Sequence, residues 1–320
     1  MPELTDWLSR LLELMPVTGQ IEHRCFFGAP WQIAYDTAPV GEIPYHIVLA
    51  GSAVLHDETG RALNRLQAGD ILFLPHGSAH VLNDGSGAAP APSRKRVGLA
   101  LTIDENDGTG ERLDMLCGRF VLSAVHERLV RAYLPSHLVV AAKRTAATAR
   151  PGSGAQLAGL VGLMRFESAD ENLGGRAMLN ALSTAMFALT LRLASEAAEA
   201  PDGLLALAGH PRLAPALTAI FNQPAHPWTL PELAALCAMS RATFIRQFQQ
   251  RLGRSAADLL TDIRMTVAAN QLRQTSASTG AVAEDAGYQS EAAFQRVFKQ
   301  HMGLTPAQYR RQAQAVPSPA

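Results

Sequence analysis

Over the first part of the chain, apolar and polar residues exchange places every one or two positions, in short runs closed by Gly, Pro and Asp. Between Gln20 and about Val140 the runs IEHRCFFG, WQIAYD, YHIVLAGSAVLHD, ALNRL, DILFLP and AHVLND have the length and alternation of half-buried strands, which predicts an all-β sandwich or barrel. The segment DGSGAAPAPSRKR, from Asp84 to Arg96, has little to bury and reads as a mobile loop. After ARPGSG (Ala149 to Gly154) the period lengthens. Leu157, Leu160, Val161 and Met164 fall at helical spacing, and Leu179, Leu182, Met186, Leu189 and Leu193 mark a second, longer helix. Its stripe suits either packing on the β region or a seam with a second copy. A short Pro, Asp and Gly break from Ala200 to Gly209 follows.

From His210 the pattern is helical and repeats itself. Ser240, Ala242, Phe244, Arg246, Phe248, Gln250, Gly253 and Ala257 recur 50 residues later as Ser290, Ala292, Phe294, Arg296, Phe298, Gln300, Gly303 and Ala307, which implies a duplicated supersecondary unit. In the first copy Thr229 suits an N-cap, with Pro231 and Glu232 in the first turn and Leu233, Leu236 and Cys237 inside. Ser240 then caps a helix whose Phe244, Ile245, Phe248 and Leu252 face inward, ending at Gly253. In the second copy Val282, Ala283 and Ala286 form the first helix, Gly287-Tyr288-Gln289 the turn, and Ser290 caps a helix built on Phe294, Val297, Phe298 and Met302. Two short helices joined by a tight turn follow the helix-turn-helix plan.

The outward residues are then informative: Arg241, Thr243, Arg246, Gln247 and Gln250 on one copy, Glu291, Gln295, Arg296, Lys299 and Gln300 on the other. Arg and Gln make bidentate contacts with base edges, while Lys and further Arg take phosphates. A solvated charged face explains one such helix equally well, but two copies with the same cap, the same Phe pair and the same Arg favour double-stranded DNA. The helical pattern from Ala256 to Gln274 is a spacer suited to placing both outward faces in successive major-groove segments.

Composition narrows the picture. With 320 residues, 48% hydrophobic and 18% charged, the chain can fill two cores, which excludes general disorder. The most apolar stretch, Met178 to Leu193, is interrupted by Asn180, Ser183, Thr184, Thr190 and Arg192, and the start MPELTDWLSR lacks a basic signal-peptide head; a cytoplasmic protein with no membrane span is expected. Net charge is zero, yet from His210 onward eleven Lys and Arg face six Asp and Glu, so a polyanion would meet the C-terminal part. Three scattered cysteines make no disulfide scaffold and no four-cysteine zinc cluster.

The stretch from His210 to Arg311, above all AVAEDAGYQSEAAFQRVFKQHMGLTPAQYRR, resembles the AraC/XylS family of bacterial transcription regulators. Gly287-Tyr288, Ser290, Phe294, Phe298, Lys299, Gly303, Thr305-Pro306 and Tyr309-Arg310 carry the likeness. It implies an all-α double helix-turn-helix that binds promoter DNA, usually to activate transcription with RNA polymerase, and a second domain that senses a signal or forms a homodimer. In the N-terminal part, Gly69-Asp70, Pro75 and His80 resemble the second cupin motif, and Tyr45-His46 through Gly51 a degenerate first one. The fold class implied is α+β and multidomain: a cupin-like β-barrel sensor at 1–148, a helical linker with dimerisation helices at 149–209, and the DNA-binding domain at 210–320.

Metal-dependent cupin enzymes use two His and a Glu from the first motif with one His from the second. Here His46 and His80 remain, with His76 nearby and no HxH, which argues against a cupin enzyme fused to a DNA reader. Zinc held by His46, His80 and Cys25, with His23 as the second choice of third ligand, stays open beside a pair of core histidines and an inert thiol. The segments GQIEHRCFFGAPWQI and LCGRF are similar to those of a member of this branch that answers reactive chlorine species by cysteine oxidation, which marks Cys25 and Cys117 as redox residues. His23 and Arg24 would lower the pKa of Cys25, and Arg119 that of Cys117. Cys237 reads as structural. A small-molecule sensor using Trp31, Tyr35, Phe73 and His80 is the alternative.

Overall fold

The computed structural model describes residues 5–141 and 152–315, which divide into two compact units: Val17–Pro201, and Met1–Pro16 together with Asp202–Ala320. The first unit holds strands β1 (Val17–Gly28), β2 (Gln32–Tyr35), β3 (Glu42–Ala50), β4 (Ser52–Asp57), β5 (Ala62–Gln67), β6 (Asp70–Phe73), β7 (His80–Asn83), β8 (Ser93–Val97), β9 (Thr102–Asn106), β10 (Arg112–Leu122) and β11 (Leu138–Ala141). They form a seven-stranded sheet in the order β11-β6-β3-β10-β1-β9-β8 and a four-stranded sheet in the order β2-β7-β4-β5. Alternation along β1, β3 and β10 sends Cys25, Phe27, Val48, Met115 and Cys117 into the interior, where they pack with Trp31, Leu55, Leu66 and Leu82.

The outer face of the larger sheet carries Tyr45, Phe73 and Phe120, which pack in a ring cluster with Phe187. Phe187 belongs to α4 (Gly175–Glu196), which lies beside α3 (Ser153–Glu167), while the short α2 (Glu127–Tyr133) precedes β11. A Cβ at Gly118 would fall 2.5 Å from the Tyr45 hydroxyl, so only glycine admits that ring. By length and mean hydropathy alone α4 could cross a membrane, but Leu179, Met186 and Leu193 are buried in the unit, as in a core helix. The polar residues that interrupt it bind the strand beneath. Gly19 N donates to Thr184 Oγ1 at 2.8 Å and Ile21 N to Asn180 Oδ1 at 3.0 Å, beside a bulge between Ile21 and His23 that breaks the ladder.

Three expectations change. The segment expected to be a loop contains β8, whose Arg94 pairs with Glu105 and Asp107, so charge pairing across β8 and β9 replaces apolar burial. Phe73 points to the α4 face, away from Trp31, Tyr35 and His80. The division of the chain also falls elsewhere: α3 and α4 belong to the β unit, while α1 (Trp7–Leu14) and α5 (Leu204–Ala208) belong to the helical one. The boundary expected at 148–149 lies outside the described residues. Burial is the reason, since Leu8, Leu11 and Met15 are core residues beside α6 (Ala214–Asn222) and α9 (Ala256–Gln274), and Leu204, Leu205 and Leu207 are fully packed. Arg10 Nε donates to Asn222 Oδ1 at 3.1 Å and Asn270 Nδ2 to Leu14 O at 2.8 Å.

Candidate sensor centre and nucleic-acid interface

Five strands deliver one side chain each to a single interior cluster. Register does this directly: Cys117 on β10 lies opposite His46 on β3, and Tyr35 on β2 opposite His80 on β7, while Cys25 on β1 is a diagonal neighbour of Cys117. Cys117 Sγ stands 4.0 Å from Cys25 Sγ, 3.2 Å from His46 Nδ1 and 3.6 Å from the Tyr35 hydroxyl. His46 Nε2 meets His80 Nε2 at 2.9 Å, and His80 Nδ1 lies 3.0 Å from the Ser78 carbonyl. Tyr35 stacks on His80 with ring centroids 4.7 Å apart.

The hydrogen-bond bookkeeping fixes the tautomers. A carbonyl only accepts, so His80 Nδ1 carries the proton, and its Nε2 accepts from His46 Nε2. His46 Nδ1 is then the one ring nitrogen left to take the Cys117 proton. Burial, and secondarily His46, push the His80 pKa down to about 4, so it stays neutral at neutral pH. Burial opposes charge on Cys117, but the Cys25 thiol, His46 and Tyr35 acting on its sulfur hold its pKa well below the ordinary thiol value. Cys25 moves the other way. Its hydrogen bond to Cys117, its burial, and the nearby Cys117 and Asp104 charges push its pKa well up.

Cys25 is therefore not activated by its sequence neighbours. His23 Nδ1 sits 2.7 Å from Asp104 Oδ2, and Arg24 turns to the opposite face, forming a buried pair with Asp114 and donating to Ser168 Oγ at 3.0 Å. Arg119 pairs with Glu22 and Glu42 rather than with Cys117. Tyr35 is the member of the cluster that motif reasoning assigned only to a ligand pocket. Its place opposite His80 follows from strand pairing and leaves no mark in local spacing.

The zinc set of His46, His80 and Cys25 does not fit. Two nitrogens on a tetrahedral zinc lie about 3.3 Å apart with both lone pairs aimed at the metal. Here the two Nε2 atoms share a hydrogen bond at 2.9 Å, and Cys117 is the thiol beside His46. Among the described residues no three His, Cys, Asp or Glu side chains gather around a metal position. His76 is elsewhere, with its Nε2 on the Leu134 carbonyl.

In the helical unit the two copies are α7 (Leu230–Leu236) with α8 (Arg241–Leu252), and α10 (Thr279–Asp285) with α11 (Glu291–Met302), joined by α9. Thr229 and Glu232 form a capping box; Ser240 and Ser290 cap α8 and α11, and Gly253 and Gly303 end them at φ 76° and 74°. Burial runs alike along the two second helices up to their last residue, with Phe244 and Phe248 inside one and Phe294 and Phe298 inside the other; Leu252 is buried and Met302 half-buried. Arg241, Arg246, Gln250, Glu291, Gln295, Arg296, Lys299 and Gln300 are exposed.

Four assignments move, the first being Leu236, expected inside but exposed. Thr243 and Gln247 are half-buried, with Thr243 Oγ1 against the Ser240 hydroxyl. Ile245, expected inside, is exposed, as is Gln249, which the sequence reading omitted. The repeat held the signal: Ile245 and Gln249 correspond to Gln295 and Lys299, both read as outward. Cys237 is buried, which raises its pKa.

Comparison with known proteins agrees with both units. Residues 6–196 match a cupin family model and residues 233–312 a helix-turn-helix domain model. The chain is 33% identical over 308 residues to an uncharacterized HTH-type transcriptional regulator of Haemophilus influenzae, covering 96% of this chain and 98% of that one. It is 27% identical to the RCS-specific HTH-type transcriptional activator RclR of Escherichia coli K12, over 95% of this chain and 97% of that protein. About a third of the chain is similar to the DNA-binding domain of AdpA solved with a target DNA, at 28% identity and TM-score 0.31, covering 33% of this chain and 94% of that one. A cupin unit and an AraC-type pair of helix-turn-helix motifs, matched along almost the whole length of such relatives, place this chain in the AraC-type family of DNA-binding transcriptional regulators.

Proposed function

We propose that the protein is an oxidant-responsive transcription activator whose signal is a disulfide between Cys117 and Cys25, read out through α8 and α11 on promoter DNA. The observation that carries this reading is the position of Cys117, between a base, His46, and a second thiol, Cys25. Cys117 is the nucleophile, because a thiolate attacks and its pKa is the lowered one. With hypochlorous acid, the Cys117 thiolate takes the chlorine and releases hydroxide. Cys25 then attacks the S–Cl sulfur, losing its proton and expelling chloride, so that the sum is thiolate, thiol and HOCl giving disulfide, water and chloride. Closure brings the sulfurs from 4.0 Å to about 2.05 Å, so β1 and β10 must shift against each other. The RCS-specific activator RclR, similar along its whole length, supports the choice of oxidant.

On DNA, the outward residues of α8 and α11 contact bases and phosphates, and activation requires contact with RNA polymerase. The exposed Leu163 and Phe166 on α3, three residues apart on one face, suit a second copy of the chain. The test is a promoter reporter with and without hypochlorous acid, paired with mass analysis of the Cys25 and Cys117 peptides. Wild type is expected to switch output and lose two hydrogens across the pair, and Cys117→Ala and Cys25→Ala to lose the switch. An unaltered response in either variant overturns the redox reading.

A further inference from the structure

One carboxylate in the helical unit is shared by the two halves of the repeat. Asp262, on the spacer helix α9, is almost fully buried at 2% exposure. Its Oδ2 accepts from Arg254 Nη1 at 3.0 Å, and its Oδ1 binds His301 Nε2. Arg254 directly follows Gly253, the residue that ends α8, and His301 lies in the last turn of α11. Each oxygen thus holds the end of a different outward-facing helix. The duplication did not create this contact, because the 50-residue offset pairs His301 with Arg251 and Arg254 with Leu304.

The remaining contacts along α9 are mostly apolar, through Leu259, Ile263, Met265 and Leu272. Apolar surfaces tolerate small rotations, because contact area changes little as they slide. A buried carboxylate with directional partners does not, since a rotation that breaks either bond costs a charge-assisted hydrogen bond in the interior. We propose that Asp262 is a positioning residue for DNA recognition: by holding Arg254 and His301 together it fixes α8 relative to α11, and so sets the spacing between the two DNA segments the chain accepts. Arg264, two residues on, supports the same arrangement. It donates to the Pro224 and His226 carbonyls before α7, at 2.6 and 2.9 Å, and its guanidinium lies over the Tyr288 ring between α10 and α11.

The inference rests on the reading that both helices enter the major groove, and the experiment separates the two. Full-length wild type selects its preferred duplex from a random pool, and operators are then made with one base pair inserted or deleted between the two protected stretches. Wild type is expected to lose about tenfold or more per inserted pair, roughly the cost of one lost set of base contacts. Asp262→Asn is expected to lose less than about threefold while binding the parent operator within a similar factor, and His301→Gln to follow it. If Asp262→Asn does not fold, His301→Gln decides by the same profile. A folded variant with the wild-type spacing profile overturns the proposal, as does a wild type that selects an operator but is indifferent to spacing. Failure of wild type to select any sequence overturns the DNA reading itself.

Discussion

At the scale of single residues, the sensor centre turns on which atoms hold protons. Cys25 and Cys117 have the same side chain but opposite pKa displacements: burial opposes charge on Cys117 but is outweighed by the Cys25 thiol, His46 and Tyr35 acting on its sulfur, while the hydrogen bond to Cys117, burial and the nearby Cys117 and Asp104 charges push Cys25 up. Sequence adjacency suggested otherwise, since His23 and Arg24 precede Cys25; but Arg24 faces the far side of the sheet, and His23 is held by Asp104. His80 gives a pH prediction. Unfolded, it takes a proton below about 6.5; in the native state it resists until about 4. Between those values the unfolded chain binds more protons, so stability rises with pH across the window and is flat above it. The β unit is expected to lose up to about 3 kcal/mol as pH falls from 6.5 to 4. Urea unfolding of wild type and His80→Gln checks this: the variant's loss over that window should be distinctly smaller.

At the scale of elements, α8 and α11 were legible because each is defined locally: a capping Ser, aromatic residues at i and i+4, and a terminal Gly in the left-handed region. Their exposed rows support predictions about DNA. Arg246→Ala and Arg296→Ala are each expected to cost ~1 to 3 kcal/mol at one base pair and to relax specificity there, measured by competition among single-base operator variants. Lys299→Ala should instead weaken all sequences alike and reduce the salt slope by about 1. Equal effects from all three would mean that other faces carry the contacts. Ile245 shows where periodicity misled, because an apolar type at the edge of a stripe is as compatible with the rim as with the core, and here it is exposed.

At the scale of the whole molecule, the chain leaves the helical unit after α1, builds the β unit, and returns at Asp202. The first helix therefore stabilises the last domain. Leu11 is 3% exposed, and Leu11→Ala is expected to cost about 2–5 kcal/mol through lost burial and the cavity left behind. Calorimetry should show the helical unit's transition lowered and that of the β unit unchanged; a shift of the β transition instead would contradict the division.

Sequence alone determined the duplicated helical plan, the caps that bound its helices, the basic C-terminal part, and the strand character of the region before Val140. All of these are written in spacings of a few residues, or in the similarity of one segment to another. Tertiary structure decided what meets what. The gathering of Cys25, Tyr35, His46, His80 and Cys117, the allegiance of α1, and the sharing of Asp262 between two repeats depend on strand register and helix packing. Those are set by the burial of many side chains at once, so no local pattern records them.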